Sequence, residues 1–135
     1  MTVDPKARQF VDTVVRDNSV VMFALEWCDF CWSVRKLFKE MGIDYHSVDL
    51  DSVALQPEDM GGKIRKVLLS DIGVPTIPQI YIGETHIGGA TELFEAYENG
   101  SLQKLLQATG ASYDTHARPD LTKLMPQWLQ PRQTA

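Results

Sequence analysis

Three stretches of the chain place apolar residues at helical spacing. The first, residues 4–18, starts with Asp4 as a candidate cap and Pro5 in the first turn. The second follows a short loop with two cysteines and ends near Gly42, and the third is predicted to run from Pro57 to Gly73. Their apolar faces consist of Ala7, Phe10, Val11, Val14 and Val15, then Val34, Leu37, Phe38 and Met41, and then Ile64, Val67, Leu68 and Ile72.

Four shorter segments have the pattern of β-strands. Val20–Leu25 is continuously apolar, which is typical of a strand that is buried on both faces. Tyr45–Leu50 alternates loosely between apolar and polar residues and is predicted to be a second strand. Pro78–Ile82 and Thr85–Ile87 flank Gly83–Glu84, a two-residue connection typical of a β-hairpin. The chain therefore alternates strands and helices before it reaches a hairpin.

The order of these elements predicts an α/β fold. A strand–helix–strand unit with a right-handed crossover, followed by a hairpin, forms one small mixed sheet with helices on its faces. Two further helical stretches follow Gly88–Gly89, and we expect residues 1–110 to form one domain. Residues 111–135 are polar and rich in proline, and are predicted to be a partly disordered extension. Within it, five apolar residues could dock on the domain as a short helical turn: Leu121, Leu124, Met125, Trp128 and Leu129.

Composition narrows the function classes. The 135 residues have a net charge of −5 and no cluster of lysine and arginine, which argues against nucleic acid as a partner. No apolar run approaches the ~20 residues that span a bilayer. The segment Met1–Phe10 lacks the apolar centre of a signal peptide. We therefore expect a soluble protein without a membrane partner, located in the cytoplasm or, after processing, inside an organelle.

The two cysteines, Cys28 and Cys31, lie between a predicted buried strand and the first turn of a helix. A disulfide between them would close so small a loop that it would restrain little of the unfolded chain. Unpaired N–H groups at a helix start stabilise an anion, so a thiolate at Cys28 is favoured there. Cys31, one turn further on, is close enough to attack a mixed disulfide on Cys28. This arrangement predicts thiol–disulfide chemistry rather than two small buried apolar residues.

A zinc site is a different interpretation of a cysteine pair, and it needs two further ligands. His46, His86 and His116 are scattered along the chain, and none of them forms a pair with the spacing of metal ligands. We therefore expect no zinc at this site, and we expect no chemistry from the three histidines.

The chain resembles the glutaredoxin family, which has the thioredoxin fold, on three motifs between Val20 and Ala108. The first is Cys28-Asp29-Phe30-Cys31. The second is Thr76-Ile77-Pro78, similar to the family's Thr-Val-Pro with its cis-proline. The third is Gly88-Gly89-Ala90-Thr91-Glu92, similar to the loop that holds the γ-glutamyl end of glutathione. The three motifs occur in the family's order.

The resemblance implies a thioredoxin-like α/β fold with a four-stranded mixed sheet, and a glutathione-dependent thiol–disulfide oxidoreductase. Cys28 would be the attacking thiolate and Cys31 the resolving thiol. The expected substrates are protein disulfides and glutathionylated proteins, with glutathione as co-substrate and partner. The protein is expected to be a monomer.

The resemblance also implies a binding site for glutathione. The backbone of Ile77, exposed by a cis bond to Pro78, would pair with the cysteinyl unit of the tripeptide. Thr91 matches the position that takes the γ-glutamyl carboxylate, and Glu92 matches the acidic position near the ammonium group. Arg65 matches the position that faces the glycyl carboxylate. The implied set is therefore Arg65, Thr76, Ile77, Pro78, Gly89, Thr91 and Glu92.

Several residues near the motifs depart from the family pattern. Leu25 stands where the family usually has lysine, and Pro75 stands where arginine is common. Glu26 and Asp29 place negative charge beside the first cysteine, which opposes a thiolate there. A tryptophan before the first cysteine, as at Trp27, is more typical of thioredoxins and of glutaredoxins that hold an iron–sulfur cluster.

Two alternative functions therefore stay open. One is a module that binds a [2Fe–2S] cluster, bridged between two subunits by Cys28 of each and by two glutathiones. That arrangement would make the protein a dimer. The other is a thioredoxin-like electron donor that recognises a dedicated protein partner through Trp27 and the C-terminal extension.

Overall fold

The computed structural model describes residues 3–124. The helices of this part are α1 (Pro5–Asp17), α2 (Asp29–Glu40), α3 (Met60–Ile72), α4 (Ala90–Asn99), α5 (Ser101–Thr109) and α6 (Leu121–Leu124). The strands are β1 (Val20–Ala24), β2 (His46–Asp49), β3 (Gln79–Ile82) and β4 (Thr85–Gly88). The predicted order of strands and helices is confirmed as far as residue 109, with two short 3₁₀ turns added before α3.

The strands form one four-stranded mixed sheet in the order β2-β1-β3-β4. Strand β1 is parallel to β2, with Met22 opposite Ser47, and antiparallel to β3, with Met22 opposite Ile80. Strands β3 and β4 form the predicted antiparallel hairpin. The predicted α/β fold is therefore confirmed, and β1 is one of its two central strands. The cysteine loop that follows β1 consequently begins at the end of a central strand, near the middle of the sheet.

Strand β1 is buried on both faces because its alternate side chains enter two different apolar cores. Met22 belongs to the core under α2, α4 and α5, whereas Phe23 belongs to the core under α1 and α3.

Helix α1 begins as predicted, since the carboxylate of Asp4 accepts the N–H of Ala7 at 3.0 Å. Between residues 3 and 124, the structure contains no helix that has the length and apolar character needed to cross a membrane.

Helix α3 begins at Met60, so the predicted start at Pro57 is wrong by about one turn. Pro57 opens a separate 3₁₀ turn, and the next two residues have positive φ values of 57° and 53°. Gly61 is required at the actual start because its Cα lies against the carbonyl of Leu50, where a side chain would not fit. The start of α3 is therefore determined by packing on the end of β2.

Residues 111–124 return along the domain and end in α6. The N–H of Asp114 donates to the carbonyl of Met41 at 2.6 Å, and the hydroxyl of Tyr97 donates to the carbonyl of Pro119 at 3.0 Å. Leu124 is fully buried in the core that contains α2. The predicted docking of a helical turn is thus confirmed at Leu124. The expectation for the rest of that turn falls outside the described residues and concerns Met125, Trp128 and Leu129.

Candidate active site

The cysteine loop connects the end of β1 to the start of α2. Cys28 is the N-cap residue of α2, with an extended backbone, and its carbonyl accepts the N–H of Trp32 at 2.9 Å. Its side chain is half-buried, whereas Cys31 in the first turn is fully buried. Both are free thiols, and they lie close enough to interact. The first cysteine is therefore accessible to a substrate, and the second lies within reach of the first.

Burial raises the pKa of Cys31 to about 12. The thiol packs in the apolar core that contains side chains of α2 and α4. A backbone hydrogen bond from Leu25 and the positive charge of Arg35 lower this pKa, but they do not offset the lost hydration of the thiolate. At neutral pH, Cys31 is therefore a protonated thiol and a poor nucleophile.

Arg35 supports the cysteine loop from α2, a role that the sequence did not predict. Its guanidinium donates to the carbonyl of Leu25 at 3.1 Å and to the carboxylate of Asp49 at 2.9 Å. Asp49 also accepts the hydroxyl of Ser47 at 2.8 Å. The available signal was spacing, because Arg35 follows Cys31 by four residues and so lies on the same side of the helix.

A groove of about 670 Å³ runs beside the cysteine loop. Leu25 and Phe30, which flank Cys28 in the sequence, line the groove together with Pro75. Leu25 and Pro75 stand where the family usually has lysine and arginine, so these two positions contribute apolar surface here. All seven residues predicted to bind glutathione also line it: Arg65, Thr76, Ile77, Pro78, Gly89, Thr91 and Glu92. Among these described lining residues, the groove has one cation, on α3, and one acid, on α4.

The loop before β3 forms the first wall of the groove. The bond between Ile77 and Pro78 is cis, as expected from the motif. Gln79 is only 2% exposed, and its Nε2 donates to the carbonyl of Thr76 at 2.9 Å and to the hydroxyl at 3.1 Å. Its Oε1 lies 2.7 Å from Nε2 of His86 on β4. Gln79 therefore joins the first wall to the neighbouring strand.

His86 supports the first wall through its contact with Gln79, which the sequence did not predict. Burial lowers the pKa of His86, and the charge of Glu92 partly opposes this change. The amide oxygen of Gln79 can only accept a hydrogen bond, so Nε2 of His86 is the donor. Within residues 3–124, the structure brings no three His, Cys, Asp or Glu side chains together as metal ligands.

The start of α4 forms the second wall of the groove. Gly89 is its N-cap residue, and a Cβ there would lie 3.2 Å from the carbonyl oxygen of Pro78. Glycine therefore lets the two walls approach closely. Gly88 has a φ of 121°, and a Cβ there would lie 2.9 Å from the side chain of Glu92. Thr91 is exposed in the first turn, where backbone N–H groups lack intrahelical acceptors and can bind an anion.

Comparisons with known proteins agree with this geometry. Residues 20–87 match the sequence model of the family described as glutaredoxin. A glutaredoxin from Ricinus communis is 36% identical over 98 residues, which cover 73% of this chain and 91% of that protein. The chain belongs to the glutaredoxin family. Glutaredoxins are thiol–disulfide oxidoreductases that act with glutathione, and this chain is one of them.

Two further comparisons extend the match. Monothiol glutaredoxin-S10 from Oryza sativa subsp. japonica is 34% identical over 96 residues, which cover 71% of this chain and 56% of that protein. The chain thus spans little more than half the length of that relative. The crystal structure of a buckwheat glutaredoxin–glutathione complex superposes with a TM-score of 0.72 and 35% identity, over 78% of this chain and 92% of that chain. The glutaredoxin fold is therefore confirmed by structure as well as by sequence.

Proposed function

We propose that this glutaredoxin reduces mixed disulfides between glutathione and proteins, with the tripeptide bound in the groove beside Cys28. One observation carries the proposal: residues predicted from three separate segments of the sequence all line one groove. The buckwheat relative, crystallised as a glutathione complex, supports a glutathione site on this fold. Such a reaction needs a reducing glutathione pool, as in the cytoplasm or an organelle interior.

The opposite charges of the groove give the bound tripeptide a direction. The guanidinium of Arg65 suits the glycyl carboxylate. The backbone of Ile77 would pair with the cysteinyl unit as an added strand does. The N–H groups at the start of α4, with Thr91, would bind the γ-glutamyl carboxylate, and Glu92 would bind the ammonium group. In this orientation the sulfur of glutathione faces Cys28.

The reaction then needs one protein thiol. The thiolate of Cys28 attacks the glutathione sulfur, the bond between glutathione and the substrate protein breaks, and the substrate's cysteine leaves as a thiolate. A second glutathione thiolate attacks the glutathione on Cys28, which releases glutathione disulfide and restores Cys28. Cys31 could replace the second glutathione only as a thiolate, and its full burial and raised pKa make that route the slower one.

Serine substitutions test this assignment of the two cysteines. We expect Cys28→Ser to lower turnover of a glutathionylated peptide at least ~100-fold, because the nucleophile is lost and the other cysteine is buried. We expect Cys31→Ser to retain at least about half of the activity. The measurement couples glutathione and glutathione reductase to NADPH consumption. Wild-type rates in Cys28→Ser would contradict the proposal, and a large loss in Cys31→Ser would assign turnover to the two-thiol route.

A bridged [2Fe–2S] cluster is the alternative use of Cys28. The side chain is accessible enough to ligate iron, but the neighbouring Asp29 would place a carboxylate beside a cluster that is already anionic. We therefore propose that the protein is a colourless monomer. Visible absorbance together with dimerisation, in protein purified without oxygen, would identify a cluster carrier instead.

A further inference from the structure

Three residues next to Cys28 form a surface that is separate from the groove. Glu26, Trp27 and Asp29, here called the acidic rim, surround Cys28 in the sequence and are all exposed. Trp27 is 90% exposed, the highest value for a large apolar side chain in the described part of the chain. None of the three lines the groove, so a tripeptide bound there would leave the acidic rim uncovered.

The fold does not explain an exposed tryptophan at this position. Trp27 belongs to neither apolar core. By contrast, the ring of Trp32 is less exposed and is approached by Nζ of Lys36 at 5.7 Å. Tryptophan is enriched among residues that dominate binding energy, and the face of its ring attracts cations. Trp27 therefore offers a contact surface for a positively charged group beside the reacting sulfur.

The electrostatics of the loop point to the same kind of partner. A third carboxylate, that of Asp51, belongs to the same surface because it accepts the N–H of Glu26 at 2.9 Å. The cation that supports the loop, Arg35, is only partly exposed and is bonded to the carbonyl of Leu25 and to Asp49. The surface beside the reacting sulfur is therefore acidic and aromatic, which favours an approaching cation.

We propose that the acidic rim selects glutathionylated proteins whose reacting cysteine is flanked by lysine or arginine. This inference rests on the proposed function, because it concerns the leaving group of that reaction. When Cys28 bonds to the glutathione sulfur, the substrate's cysteine departs as a thiolate that takes a proton from solvent. The departing protein lies outside the groove, where its flanking lysine or arginine can pair with Glu26 or stack on Trp27.

Two glutathionylated peptides that differ only in their flanking residues, lysines or glutamates, test the proposal. Each kcat/KM is divided by the rate of the uncatalysed reaction of that peptide with glutathione. We expect the wild type to prefer the lysine peptide about fivefold at low ionic strength, and high salt to reduce the preference. Glu26→Lys reverses the side-chain charge and keeps the backbone hydrogen bond to Asp51, so the preference should vanish or reverse.

Glu40→Lys is the matched control, since it makes the same charge change on an exposed residue at the other end of α2. It should keep the wild-type preference. Trp27→Ala should lower the kcat/KM for both peptides about fivefold more than it lowers the kcat/KM for the small cysteine–glutathione disulfide. Equal preferences in Glu26→Lys and Glu40→Lys would overturn the role of the acidic rim and leave the proposed function intact. Absence of wild-type activity on every glutathionylated substrate would overturn the proposed function itself.

Discussion

Cys28 and Cys31 lie one helical turn apart, in different surroundings. Cys28 is at the N-cap of α2 and is half-buried, whereas Cys31 is enclosed by apolar side chains of the core. A thiolate in the core loses its hydration, which is the main reason that the pKa of Cys31 rises to about 12. The fold therefore leaves Cys28 accessible and keeps Cys31 a protonated thiol at neutral pH.

This difference predicts a pH dependence for the two-thiol route. The rate at which Cys31 displaces glutathione from Cys28 should rise about tenfold per pH unit between about pH 7 and pH 9. The rate rises with pH because the pKa of Cys31 lies above this range, so the fraction of Cys31 present as thiolate increases with each pH unit. Mass spectrometry of protein loaded with glutathione and freed of excess thiol would measure the release. The same experiment on Cys31→Ser should show no release, and a pH-independent wild-type rate would contradict the prediction.

At the scale of elements, the groove depends on the distance between its two walls. The loop before β3 is held by the hydrogen bonds of the buried Gln79. The start of α4 approaches that loop because Gly88 and Gly89 leave space for the side chain of Glu92 and for the carbonyl of Pro78. The affinity for the tripeptide should therefore be sensitive to a single added methyl group.

Gly88→Ala tests the second wall. The new Cβ would lie 2.9 Å from Glu92, at a φ of 121° that alanine rarely adopts. We expect the free energy of unfolding to fall by about 1–3 kcal/mol and the KM for glutathione to rise severalfold, because Glu92 must move. Denaturant unfolding and steady-state kinetics measure the two effects.

Gly110→Ala provides the control for this change. Its φ is 73°, and an added Cβ would have no atom within 4 Å, so the substitution has a conformational cost alone. It should lower stability without changing the KM for glutathione. An equal KM for Gly88→Ala and the wild type would show that the position of Glu92 does not matter for binding.

Elements with strong local signals were predictable from the sequence. Asp4 caps α1 through a hydrogen bond three residues away, and Gly83–Glu84 forms the hairpin turn with φ values of 54° and 68°. The start of α3 was not predictable, because it depends on the close contact between Gly61 and the carbonyl of Leu50. Local preferences therefore account for the caps and turns, while tertiary packing decides where α3 begins.

The candidate site divides in the same way. Its motif residues could be predicted because each motif is short and contiguous. Arg35, Gln79 and His86 could not, because each acts through a hydrogen bond to another element or loop. In the sequence, these three residues are ordinary polar positions on a helix or a strand. The pairing of β3 with β4 brings Gln79 and His86 together, and the packing of α2 near β2 brings Arg35 to Asp49.

At the scale of the whole molecule, residues 111–124 complete the core on the side of α2. Leu124 is fully buried there, and the N–H of Asp114 donates a backbone hydrogen bond to Met41, in the turn after α2. The apolar face of α2 is therefore covered partly by residues that lie well beyond the glutaredoxin match, which ends at residue 87.

Leu124→Ala tests the contribution of this segment to stability. Removal of a fully buried leucine side chain leaves a cavity, and we expect the free energy of unfolding to fall by about 2–4 kcal/mol. Lys123→Ala, at the exposed neighbouring position, should change it by less than about 0.5 kcal/mol. Urea denaturation measures both. A similar small effect for the two variants would mean that the core does not depend on α6.

The burial of Cys31 also bears on how such proteins are classified. Relatives of similar identity include two named monothiol glutaredoxin and others without that qualifier, and a count of cysteines would group this chain with two-thiol proteins. The fold nevertheless leaves one of the two thiols accessible and encloses the other. A classification by accessible thiols would therefore group the chain with one-thiol proteins, although its sequence carries the complete cysteine pair.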